Sequence, residues 1–174
     1  MGHAPQSVPT PALRHYSPSM GILIPFVTLV IAWVLTLLDV AAPGGTPDET
    51  TMASAMRWLL FIPGGFMFLA SGVMHTVFAK STAKSIGWQT NGFQYEIGFV
   101  SLGLGLAGII AANSSEPAWL PIAVAQSVFL VLAGANHVRE MVKVKNFAPG
   151  NTLILLYDFG LPISYLIALL SLSG

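Results

Sequence analysis

Apolar residues run along this chain in five long blocks parted by short polar interruptions, at residues 20–41, 58–79, 92–112, 117–138 and 152–173. Each block is close to the roughly 20 residues that a helix needs to cross a bilayer. The pattern predicts an all-α integral membrane protein with five transmembrane helices, embedded in a lipid bilayer. Arg14, Lys80, Lys84, Arg139, Lys143 and Lys145 fall on one side of these helices and Arg57 alone on the other. The positive-inside rule then predicts a cytoplasmic N-terminus and an external C-terminus.

The first block has the look of a signal peptide, since Arg14 precedes it and "DVAAPGG" follows. Asp39 stands at the −3 position of a cut after Ala41, however, and Pro43 follows the next candidate, so a retained helix over 20–41 is expected. The preceding residues 1–19 form a Pro-rich cytoplasmic tail, extended when alone.

Polar residues inside the blocks carry the remaining signal. In "TLILLYDFGLPISYLIALL", Asp158 sits within an apolar run, where an unpaired charge costs about 2.5–3.5 kcal/mol on insertion scales. Shifting the chain by 62 positions places Gly72 on Gly134, His75 on His137, Tyr95 on Tyr157, Glu96 on Asp158 and Gly98 on Gly160. "GVMH" with "YEIG" returns as "GANH" with "YDFG", and each His precedes its acid by 21 positions. Units 58–112 and 117–173 are therefore expected to be parallel repeats forming a pseudo-two-fold four-helix bundle over 58–173. At 1.5 Å per residue His75, Glu96 and Asp158 lie roughly 6–9 Å below the cytoplasmic interface, and His137 is shallower. His75, Glu96, His137 and Asp158 are expected to converge in one buried layer, with Gln94, Tyr95, Asn136, Glu140 and Tyr157 supporting it.

That layer admits three kinds of chemistry. Each His could hydrogen-bond the acid of its own hairpin and fix helix packing alone. The four side chains could instead ligate zinc, iron or manganese, or the two imidazoles a haem with the carboxylates behind them. The Glu-x-x-His pairs of di-iron bundles are missing. Third, acids beside imidazoles could relay protons or ions.

Composition narrows the field. Of 174 residues, 54% are hydrophobic and 8% charged, against about a quarter charged in soluble domains. Seven basic residues balance seven acidic ones, which gives no footprint for nucleic acid. The chain has no Cys, so thiolate ligands, disulfides and Cys redox relays are excluded within it. "GLGLAG" at 103–108 matches a nucleotide-loop pattern, but inside an apolar block it reads as a smooth packing face. Pro63 and Pro162 are expected to kink their helices. Trp58, Trp88 and Trp119 read as interfacial anchors, and Arg139 with Glu140 as an interfacial charge pair.

"IGW" at 86–88, "FQYE" at 93–96, "HVREM" at 137–141 and "NFAPGN" at 146–151 resemble an uncharacterised family of small bacterial membrane proteins, itself similar to the DoxX-like group. The likeness covers about 58–172 and leaves the tail and first helix as an addition. "QTNG" replaces the family's small-residue and Pro insertion before "FQ". The resemblance implies a bacterial inner membrane, and a His, Glu, His and Asp at the places of His75, Glu96, His137 and Asp158. Some DoxX-like relatives are linked to quinone-dependent or thiol redox systems, and the thiol chemistry cannot transfer to a chain without Cys. The expectation is a non-catalytic accessory subunit of a larger, redox-linked membrane complex, with protein partner subunits docked on the added helix and tail. The alternatives are a stand-alone metal- or haem-dependent oxidoreductase and a small ion or proton carrier.

Overall fold

The computed structural model describes residues 20–172, so the tail at 1–19 lies outside the described residues. Among these residues four helices are long and apolar enough to cross a membrane: Thr51–Thr76, Gly92–Ala112, Glu116–Val144 and Pro149–Leu172. The first apolar block is shorter than expected. A 3-10 turn at Met20–Leu23 leads into α1 (Ile24–Leu37), and the helical stretch Gly21–Leu37 would be about 25 Å long. The chain leaves it through Asp39, at φ 54.

α2 (Thr51–Phe61) starts seven residues before its apolar block, because Thr50 is extended and its hydroxyl accepts the Ala53 N–H at 3.2 Å. That cap draws Arg57 into the helix. A wide π turn over Ile62–Met67 then leads into α3 (Phe68–Thr76). Pro63 accounts for its place, since proline has no N–H and its ring crowds the carbonyl four residues back. Pro162, by contrast, sits within an unbroken α8.

α4 (Ala79–Ile86) buries Ala79, Thr82, Ala83 and Ile86, turns Lys80 and Lys84 outward, and stops at Gly87 with φ 83. α5 (Gly92–Ala112) returns, a 3-10 turn at Glu116–Ala118 opens α6 (Trp119–Val144), and Lys145 ends it in the left-handed region. A short α7 (Pro149–Thr152) leads to α8 (Leu155–Leu172).

α3 packs on α5 and α6 on α8. A methyl at Gly72 would lie 3.0 Å from Gly98 O, and one at Gly98 would lie 3.1 Å from Gly72 O. Gly105 and Gly108 likewise bring α5 against the π turn, while Gly103 faces open space. The matched glycines of the two hairpins do different work: Gly98 meets α3, whereas Gly160 meets Leu29 of α1. α1 lies on α2, the π turn and α8, with Trp33 Nε1 donating to Ser164 Oγ at 3.0 Å.

The core runs through Met56, Leu59, Leu60, Phe68, Leu161 and Tyr165, all nearly inaccessible, and the outer faces are aliphatic. Two of the expected anchors sit in this interior. Trp119 donates to Ala111 O at 3.0 Å beneath the Arg57 guanidinium, and Trp58 donates to Val40 O at 3.1 Å. Arg57 is buried at that end, bonded to Glu49 at 2.6 Å, Ala112 O at 2.6 Å and Ser114 O at 2.9 Å.

Candidate functional site

The opposite end holds the buried His137 and Asp158. His137 comes from the penultimate turns of α6, and its Nδ1 meets Asn151 Oδ1 at 2.8 Å. The amide of Asn151 donates to His137 O at 3.1 Å and Asn146 O at 2.9 Å, which fixes the Oδ1 atom on the imidazole side. A carbonyl oxygen can only accept, so Nδ1 carries the proton and, in the neutral ring, Nε2 presents a lone pair.

That lone pair faces Asp158 Oδ2 at 4.0 Å. Asp158 lies in the first turn of α8, 3% exposed, and Oδ2 has no hydrogen-bond partner. Gly134 makes the approach possible, since a methyl there would meet Phe159 Cζ at 2.9 Å and Asp158 Cβ at 3.1 Å. This is what the glycine of "GANH" does: it lets α8 press its acid against the histidine one turn on.

Trp88 covers the pair. It follows the left-handed Gly87 and stacks on His137, ring centroids 5.2 Å apart and planes 14° from parallel. Its Nε1 is buried and unpaired, as is Nδ1 of the half-buried His75 on α3. The His137 imidazole, its tautomer set by Asn151, thus lies between the unpaired Asp158 Oδ2 and the Trp88 ring. Outside Trp88 lies an open depression of about 360 Å³, lined by Gln89, Asn91, Asn136, Arg139 and Glu140.

Of the four expected members of the layer, His137 and Asp158 are the two that the structure sets against each other. Glu96 is exposed on the outer face of α5, and Tyr95 beside it is 39% exposed. Gln94 is buried but donates to Ala79 O at 2.7 Å, and Tyr157 donates to Pro63 O at 2.7 Å, both away from the imidazoles. Asn136 is exposed and Glu140 half-buried, 3.8 Å from Arg139 at the rim. Among the described residues no three His, Asp or Glu groups meet in an arrangement that could hold a metal ion. Of the expected set of His75, Glu96, His137 and Asp158, the second member lies exposed, while the last two face each other at 4.0 Å.

Sequence reasoning passed over Asn151, read only as part of a turn, and Trp88, read as an anchor. It also passed over Gln126 and Tyr165, which form a second buried polar node. Gln126 donates to Gly64 O at 2.6 Å and Leu104 O at 3.0 Å, and Tyr165 donates to Gln126 Oε1 at 2.5 Å. Gln126 in "PIAVAQSVFLVLAG" gave the same signal as Asp158, a polar residue inside an apolar block.

The fold and site define a helical protein of the membrane-spanning kind with a histidine and carboxylate centre near one end. The chain belongs to the family of unknown function DUF6790, whose model matches residues 22–173. The match takes in α1, so the first apolar helix is part of the family domain and no addition to it. No curated protein and no solved structure matches the chain.

Proposed function

We propose that the chain is a small, non-catalytic subunit of a larger redox-linked complex in the bacterial inner membrane, and that its His137–Asp158 pair holds a proton there. In this reading α1 is a fifth membrane helix, the other four descend from duplicated DoxX-like hairpins, and the Trp88 end faces the cytoplasm. The redox link follows from the resemblance of the motifs.

One observation carries the proton-holding part. Asn151 commits His137 to the Nδ1–H tautomer, so an Nε2 lone pair and a carboxylate oxygen oppose each other across 4.0 Å. Two acceptors in a dry interior repel unless a proton lies on the ring, on the carboxyl or on a water between them. The gap is too long for a direct hydrogen bond.

Infrared difference spectra of the purified chain in nanodiscs, taken across pH, test this. A protonated-carboxyl band should titrate, vanish in Asp158→Asn, shift in His137→Gln and persist in Glu96→Gln. Spectra with neither a titrating carboxyl nor an imidazole band that shifts in Asp158→Asn would overturn the proton-holding role. The subunit role is tested by purification in mild detergent, and a monodisperse chain with nothing bound would overturn it.

A further inference from the structure

The π turn sits midway along Thr51–Thr76, and side chains from two other helices hold its carbonyls. Tyr157 of α8 donates to Pro63 O at 2.7 Å and Gln126 of α6 donates to Gly64 O at 2.6 Å. Tyr165 fixes Gln126 through its Oε1 atom, with Leu59 O 3.4 Å from the same hydroxyl. Gly64 lets them close in: a methyl there would collide with the Tyr165 hydroxyl and lie 2.7 Å from Gln126 Oε1. Pro63 makes some defect unavoidable here, but a kinked α turn would also accommodate it. A kinked α turn would bond the Pro63 and Gly64 carbonyls within the helix. In the wide turn both carbonyls accept from donors on other helices.

We infer that the Gln126, Tyr157 and Tyr165 clamp selects the wide turn and thereby sets the rotation of α3, and with it the direction in which His75 projects. A π turn holds one residue more than an α turn, so removing it rotates everything downstream by about 100°. Met74, now 41% exposed, would take the azimuth of His75. His75 would take that of Thr76, whose Cγ2 packs against Gly98 of α5. These three are positioning residues, acting on His75 through about two turns of helix. The inference concerns geometry alone, so it stands or falls independently of the proton assigned to the pair.

The chain has no Cys, so single cysteines can be spin-labelled directly. Labels at Met74→Cys, Thr76→Cys and Val77→Cys in the full chain in nanodiscs are compared with and without Gln126→Leu plus Tyr157→Phe. Oxygen accessibility should fall at 74, rise at 76 and stay high at 77 when the clamp is removed. Unchanged accessibility at 74 and 76 would overturn the inference, as would a rise at both, which signals loosening without rotation. If the double variant does not fold, Tyr157→Phe alone should give a partial shift of the same opposite signs, and its absence overturns the inference equally.

Discussion

Asn151 holds His137 by both of its faces: the side-chain oxygen takes the imidazole Nδ1–H, and the side-chain amide takes the backbone carbonyl of the same residue. Asn151 is wholly buried, so its replacement leaves donors and acceptors with no water to turn to. Each buried orphan costs about 1–3 kcal/mol. Asn151→Leu should therefore lower stability by at least about 2 kcal/mol, measured by thermal unfolding in detergent. The ¹⁵N shifts of His137 should change from one tautomer to a mixture. A single Nδ1–H form in the variant would show that something other than Asn151 sets the ring.

Trp88 stacks on His137 almost face to face, so its fluorescence should report the charge of that ring. A protonated imidazole draws electron density from a stacked indole and quenches it. Emission of the purified chain is expected to fall as pH is lowered, and the fall should disappear in both Trp88→Phe and His137→Gln. Retention of the fall in Trp88→Phe would assign it to Trp33, Trp58 or Trp119.

The hydrophobic blocks disclosed the helical class and the course of the four long helices, because lipid leaves a chain little choice of structure. Their ends were less legible. α2 begins at a Thr50 cap outside the apolar run, and α6 runs six residues past its block to Val144. The histidines and Asp158 stood out because a polar residue in an apolar run needs a partner. Glu96 gave the same signal and points outward, since periodicity fixes spacing along a helix and leaves its rotation to packing. On α5 the close contacts are made by Gly98, Gly105 and Gly108, which leave no polar mark. Asn151 was hidden because a turn and a ligand clamp call for the same residue types.

The two matched acids separate structural from working roles. Asp158 makes no hydrogen bond through the buried Oδ2, so a neutral isostere loses none there. Asp158→Asn should keep or raise the melting temperature while abolishing the carboxyl titration, as expected of a group retained at a cost to stability. Glu96→Gln should change neither. A fall of more than about 1 kcal/mol in Asp158→Asn, the size of a typical net hydrogen bond, would mark the carboxylate as a packing element.

Gly64 tests the central node by volume alone. Alanine there keeps every hydrogen-bonding group but drives a methyl into the Tyr165 hydroxyl and Gln126. Overpacking of this kind costs about 1–3 kcal/mol. Gly64→Ala should lose that amount, and Tyr165→Phe should recover part of it by removing the obstructing oxygen. A full additive loss in the double variant would show that the methyl is accommodated elsewhere.

At the far end Arg57 joins three segments: the loop carrying Glu49, the end of α5 at Ala112 and the start of α6 through Trp119. Its side chain is 8% exposed and that of Glu49 12%, so neither charge has water in reserve. Removing one partner of such a pair typically costs about 3–5 kcal/mol, because the other is left buried and alone. The two halves should differ, however. Without Glu49 the guanidinium keeps two carbonyls and an indole face, whereas without Arg57 the carboxylate and both carbonyls lose their donor together. Arg57→Ala is expected to destabilise more than Glu49→Gln, and Arg57→Lys to rescue little, since one ammonium cannot reproduce the fork of the guanidinium. Thermal unfolding of the three variants in one detergent orders them. Equal losses for Arg57→Ala and Glu49→Gln would mean that the ion pair, and not the carbonyl clasp, holds this end together.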